Sequence, residues 1–216
     1  MQAFFSSNNP IISAFGKIVD VVYVSGIWLL FSIPLVTIGA STTALYYTVN
    51  KVVRNQRGYM FREFWGSFKS NFRQSTILWL SFIALLFFLR ADLKALDYLG
   101  YGDNKVFLYI AQGAGIFALL VLVYALCYVA RFTQKLGLIL LNSLLMLLTN
   151  LPRTLLLLLV CILAALMIYT TPLLLIITPG VSGLLANIVL EKVFVKYMSD
   201  EDREMEAWLN HPHDND

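Results

Sequence analysis

The sequence predicts an all-α protein: a polytopic transmembrane helical bundle with four firm spans, two shorter return helices and interfacial amphipathic helices. Three observations predict it. The first is composition: 59% of the residues are hydrophobic and 13% are charged, against about a quarter charged in a soluble domain. So few charges do not cover a water-facing surface. The second is their spacing. No Asp, Glu, Lys or Arg lies between Asp20 and Lys51, Arg73 and Arg90, Lys105 and Arg131, Lys135 and Arg153, or Arg153 and Glu191. A bilayer-spanning helix needs roughly 20 mostly apolar residues, and several of these windows supply them. The third is the sign of the charges. The stretch 200–216 holds seven acids and one arginine, which leaves +9 on the preceding residues of a chain whose net charge is +3. That excess reads as topogenic and headgroup-attracted. With no soluble basic face to present, it argues against nucleic-acid binding.

The organisation follows from the order of these segments. The opening residues carry no Lys or Arg before Lys17, so no basic leader precedes the first apolar run. Lys17 to Ile38 is the first span, with Pro34 near its end. Gly39-Ala40-Ser41-Thr42-Thr43 follows, then a short return helix from Ala44 to Val53. Lys51 to Arg73 is the most basic stretch, with six cations against Glu63 alone. Phe61, Phe64, Trp65, Phe68 and Phe72 recur there at helical steps of three and four. Such a face predicts an amphipathic helix (51–74) lying in the interface, and the positive-inside rule puts it in the cytoplasm.

Ser75 to Phe88 is the second span, with Arg90 placed to snorkel. The near-neutral loop 91–105, with turn chemistry at Gly100–Asn104, belongs outside. Val106 to Ala130 returns inward. Gly137 to Leu151 is apolar but short, and cations flank both ends, so it reads as an interfacial or re-entrant helix or as a tight transmembrane hairpin. Thr154 to Thr178 is the fourth span. Pro179-Gly180-Val181-Ser182-Gly183 turns the chain into a second return helix, Leu184 to Tyr197. Residues 1–199 thus form one transmembrane domain, followed by an acidic cytoplasmic tail at 200–216. The expected location is the cell membrane, multi-pass, with both termini in the cytoplasm. Gly39 to Lys51 and Gly180 to Lys192 have equal spacing, a loose echo of the duplicated halves of transporters.

Candidate sites are few. Pro34, Gly39, Ser41, Thr42, Thr43, Pro179, Gly180 and Ser182 mark helix breaks. These either line a polar cavity or let helices approach closely. Asp20 and Glu191 are the ionisable groups inside apolar runs. Lys17 is placed to pair with Asp20 at i,i+3, and Lys192 sits beside Glu191. Arg57, Arg62, Trp65, Lys69 and Arg73 offer a cytoplasmic contact surface. Tyr46, Tyr47, Trp65, Trp79 and Tyr101 suit an aromatic belt. Cys127 and Cys161 read as packing residues. His211 and His213 lie in the tail. No phosphate loop, metal signature or catalytic triad spacing occurs, so the reading is non-enzymatic, without cofactor or metal.

The run Ile33-Pro34-Leu35-Val36-Thr37-Ile38-Gly39-Ala40-Ser41-Thr42-Thr43-Ala44-Leu45-Tyr46-Tyr47 resembles the signature of the YesL-like family of small bacterial membrane proteins. Arg57-Gly58-Tyr59, Phe64, Phe68 to Thr76 and Asn150-Leu151-Pro152-Arg153-Thr154 fit the same resemblance. It implies an accessory role in carbohydrate transport, beside a sugar importer of the ATP-binding-cassette type. The Glu-Ala-Ala coupling loop of such importers' permeases is absent from the sequence. Three functions therefore stand as expectations. The first is an accessory protein whose partners are the lipid bilayer and importer subunits or a second copy. The second is a small solute transporter or channel with a site at the breaks near Gly39 and Gly180. The third is a membrane sensor using the acidic tail.

Overall fold

The computed structural model describes residues 10–198 apart from 56, 97 and 100–104, with side chains described from Gly16 onward. The acidic tail, its histidines and the Gly100–Asn104 turn therefore lie outside the described residues. Among the described residues there is no strand. The described residues form seven α-helices in order: α1 (Pro10–Ser32), α2 (Ile38–Thr48), α3 (Met60–Leu96), α4 (Lys105–Arg131), α5 (Leu136–Thr149), α6 (Leu151–Thr170) and α7 (Thr178–Tyr197). Helices α3, α4, α6 and α7 are each long and apolar enough to cross a bilayer.

Helix α1 stops at Ser32, two residues before Pro34, as a residue preceding proline is pushed out of the helical region. Pro34 is extended (φ −74°, ψ 111°) and opens a 3₁₀ turn over Leu35–Thr37. The Thr37 hydroxyl closes that turn against the Phe31 and Pro34 carbonyls. The Gly39–Thr43 cluster is then no break at all: it lies in the first turns of α2. The end of α2 widens into a π-helical turn over Val49–Arg54.

The basic aromatic segment does not form a separate interfacial helix. It continues without interruption into the next span as one 37-residue helix, α3. At 1.5 Å per residue α3 is about 55 Å long, against a hydrocarbon core of about 30 Å. No proline interrupts it, and Asn71 and Ser81 bond back to the carbonyls of Ser67 and Ile77, which keeps these polar side chains inside the helical pattern. Its inner aromatic row faces protein rather than headgroups. Phe64 and Phe68 are buried, and Phe31 of α1 inserts among Phe64, Trp65 and Phe68 at centroid distances of 5.5, 5.5 and 5.1 Å.

The second turn also moves. Helix α6 ends at Thr170, and Pro172 starts a 3₁₀ turn over Pro172–Ile176. Pro179 sits instead in the first turn of α7, where its missing N–H costs nothing. The expected short return helix 184–197 thus becomes the 20-residue α7. Helix α5, at 14 residues, is about 21 Å long, too short for the hydrocarbon core. The chain at both its ends is tied to other helices. Gln74 donates to the Gln134 carbonyl just before α5 at 2.9 Å, and Tyr197 meets Thr149 and Asn150 just after it at 2.8 and 3.2 Å.

Two apolar cores result. One joins Val24, Leu45, Val49 and Phe64 of the first three helices and their connections. The other joins Tyr124, Ile139, Leu157, Leu190 and Phe194 of the later four. Helix α2 stands between them, packed by α1, α3, α4 and α7.

Candidate functional site

Glu191 occupies the buried side of α7, where Ala186, Asn187, Leu190, Val193 and Phe194 also turn inward. Its side chain retains 9% exposure. A carboxylate removed from water must be paired and hydrogen-bonded to persist. Oε1 accepts from the Tyr46 hydroxyl at 2.9 Å and from Asn50 Nδ2 at 3.2 Å. Oε2 meets Arg131 Nη2 at 3.2 Å. One carboxylate thereby joins α2 and its π-helical extension, the end of α4, and α7. Phe194 screens the cluster, its ring edge-on to Tyr46, Tyr128 and Phe132 at 6.2, 6.1 and 5.9 Å.

The π-helical turn distributes the cations that follow. Arg54 Nη1 donates to Asn187 Oδ1 on α7 at 2.6 Å. Lys51 Nζ reaches Glu63 Oε2 on α3 and the Tyr47 hydroxyl, at 2.8 and 3.2 Å. Burial lowers the Lys51 pKa, but its bonds to Glu63 and Tyr47 outweigh this and hold it above the ordinary lysine value. Neighbouring positions on one strip of helix therefore clamp α2 to α3 on one side and to α7 on the other.

Glu191 pairs with Arg131 from another helix rather than with its neighbour Lys192. The Lys192 carbonyl instead accepts from Arg153 Nη1 at 2.7 Å. Asp20 is half-buried on α1, and no ion pair joins it to Lys17 among the described residues. Tyr46 is not a belt residue: it is buried at 3% exposure and belongs to the carboxylate cluster. Trp79 Nε1 bonds the Leu35 carbonyl at 2.9 Å, tying α3 to the turn after α1. Cys127 is buried and Cys161 half-buried, both as free thiols.

The two small-residue clusters pack against different helices. A Cβ on Gly39 falls 2.5 Å from the Ser75 carbonyl oxygen and 2.7 Å from Trp79 Cβ, so α2 lies directly against α3. A Cβ on Gly180 falls 2.5 Å from both Ser25 Oγ and the Val21 carbonyl oxygen, so α7 lies against α1. Ser25 Oγ also accepts from the Gly180 amide at 2.8 Å, satisfying a donor at the start of a helix. Thr43 is buried and shares a hydrogen bond with Ser75 at 2.8 Å, and Thr42 accepts from Trp28 Nε1 at 3.2 Å. Ser41 is buried against protein, Pro179 is buried, and half-buried Ser182 bonds the Pro179 carbonyl. These residues serve close packing.

Of the expected contact surface, Arg62, Trp65, Lys69 and Arg73 are exposed along α3. Arg57 is half-buried before that helix, with its amide on the Lys51 carbonyl. Among the described residues no group of three or more His, Cys, Asp or Glu is placed to hold a metal ion. The buried polar cluster that sequence reasoning passed over is Tyr46, Asn50, Arg54, Arg131 and Asn187. Its signal was a pair of i,i+4 polar spacings, Tyr46–Asn50 and Asn187–Glu191, each placed on one helix face.

No curated protein and no solved structure matches the chain. Residues 21–93, from the middle of α1 to the last turn of α3, match the family described as "Protein of unknown function, DUF624". That stretch contains Tyr46, Asn50 and both partners of the Lys51–Glu63 pair, and it encloses the run from Pro34 to Thr76 that carries the YesL-like signature. Over these residues, about a third of the chain, the sequence is similar to the DUF624 family, to which YesL-like proteins belong.

Proposed function

We propose that the chain is a non-enzymatic accessory protein of the bacterial cell membrane, acting through protein contacts beside a cassette-type sugar importer. One observation carries this reading over a transporter. The small residues Gly39 and Gly180 lie directly against backbone and side chains of α3 and α1. The buried carboxylate supports the same reading, because Tyr46, Asn50 and Arg131 already occupy both of its oxygens.

The surface that such a protein offers a partner is the outer side of the first turns of α3. Phe61, Trp65 and Phe72 stand exposed there beside Arg62, Lys69 and Arg73. Aromatic and arginine side chains are the residue types that dominate interface energetics. In this reading the surface is cytoplasmic, as are both termini. The sugar importer enters from the family resemblance, and the geometry supplies a docking face suited to an acidic or apolar partner.

The test is affinity purification from the native membrane in a mild detergent. Recovery of importer permease subunits with the intact chain, and their loss with Trp65→Ala plus Lys69→Glu, is the expected result. Purification of the chain without any permease subunit sinks the proposal.

A further inference from the structure

We propose that the groove between the outer halves of α3 and α4 binds one anionic phospholipid, with its phosphate on Arg90 and an acyl chain along the apolar walls. The groove has a volume of about 650 Å³, within the roughly 300–1,000 Å³ typical of small-ligand sites. Leu86, Phe87, Leu93, Leu108 and Ala111 form walls that suit hydrocarbon. Arg90 and Gln112 are its polar members, one from each helix.

Arg90 follows sixteen charge-free residues on α3 and is exposed. No ion pair or hydrogen bond from its side chain to a described residue is present. A guanidinium at the edge of an apolar span seeks an anion, and its planar fork matches phosphate oxygens. Lys94 lies at i+4, on the same face of the helix, and is also exposed. Asp92 lies at i+2, a spacing that does not share a face. Gln112 adds a neutral donor opposite. Cation at the rim and hydrocarbon below is the complement of an anionic amphiphile, whereas a free phosphate gains nothing from the walls.

Glycine keeps the groove open. Gly115 lines it, and a Cβ there comes no closer than 3.6 Å, to Leu86 Cδ2. A larger side chain at this position therefore projects into the groove without moving the backbone. This gives two independent handles, one on charge and one on volume.

The experiment is native mass spectrometry of the delipidated full-length chain, titrated with dioleoyl-phosphatidylglycerol or dioleoyl-phosphatidylcholine. The unmodified chain is expected to favour the glycerol lipid roughly tenfold or more, the usual scale of one charged hydrogen-bond set. Arg90→Gln abolishes the preference, Arg90→Lys keeps part of it, and Gly115→Leu weakens both lipids alike. Inorganic phosphate does not compete. Circular dichroism checks that each variant is folded. The proposal is overturned if Arg90→Gln retains the preference, if inorganic phosphate displaces the lipid, or if Gly115→Leu binds both lipids as the unmodified chain does.

Discussion

Replacing Glu191 with glutamine removes a buried charge and almost no volume. Glutamine still offers an oxygen to Tyr46 and Asn50, so the substitution isolates the interaction with Arg131. At the 3.2 Å separation, an effective dielectric of 20 gives a Coulomb term of about 5 kcal/mol. The side chains retain 9% and 18% exposure, so both ions have given up most of their hydration. Breaking one side of such a pair costs about 3–5 kcal/mol, while replacing both sides with apolar groups is often neutral. We therefore expect Glu191→Gln to lose about 3 kcal/mol, a change of roughly 100-fold in the unfolding constant. Glu191→Gln combined with Arg131→Met keeps the acceptor for Tyr46 and Asn50 while removing both charges, and should fall within about 1 kcal/mol of the unmodified protein. Equilibrium unfolding in mixed micelles, followed by circular dichroism, reads both. A single variant as stable as the unmodified protein refutes the buried-tie argument. So does a double variant as unstable as the single one.

Further outcomes follow from the same packing. Gly180→Ala pushes a methyl into Ser25 and the Val21 backbone and should cost about 1–3 kcal/mol. Gly113→Ala, where a Cβ meets nothing within 4 Å, should be neutral or stabilising by up to about 1 kcal/mol through helix propensity; comparing the two melting temperatures checks both. Thr43→Val removes the buried bond to Ser75 and is expected to cost about 1–2 kcal/mol in the same unfolding assay. The Lys51–Glu63 pair is partly exposed, so screening keeps its worth at no more than about 1 kcal/mol. Because the Lys51 pKa is raised, that contribution is full below the unfolded value of about 10.4. It disappears as pH rises through the folded value. Unfolding curves of the unmodified protein and Lys51→Met should differ at pH 8 and converge in strong alkali.

The class of the fold was legible because a bilayer imposes length and apolarity on every span. The charge-free windows therefore marked α3, α4 and α6. Junctions were harder. Arg73 and Lys69 looked like the end of an interfacial helix, yet nothing in Asn71–Ser75 breaks α3, and charge alone does not end a helix. Pro179 looked like a stop, although proline is equally at home in a first helical turn; Pro172 made the actual break. The polar cluster was the least legible part. Arg131, Tyr46 and Glu191 are far apart in sequence, and each had an adequate local explanation as flank, belt or neighbour of Lys192. Only the crossing of α2 by α4 and α7 brings them together. The glycines were read as either packing or cavity, and the choice rested on Ser75, Val21 and Ser25, which no local pattern links to them.

In the proposed reading the interior is closed by packed helices and partners meet the protein at its surface. Thiol accessibility at position 41 separates this from a water-filled pathway. Ser41 is buried in α2 beside Gly39, and cysteine is close to serine in size. Ser41→Cys, in a background with Cys127 and Cys161 replaced by alanine, is treated in native membranes with a small water-soluble methanethiosulfonate reagent. Ser70→Cys, on the exposed side of α3, is the reactive control. A packed interior predicts that position 70 is labelled while position 41 stays protected over the same interval. Labelling of position 41 at a rate comparable to position 70 would contradict the account and return the break at Gly39 to a water-filled pathway.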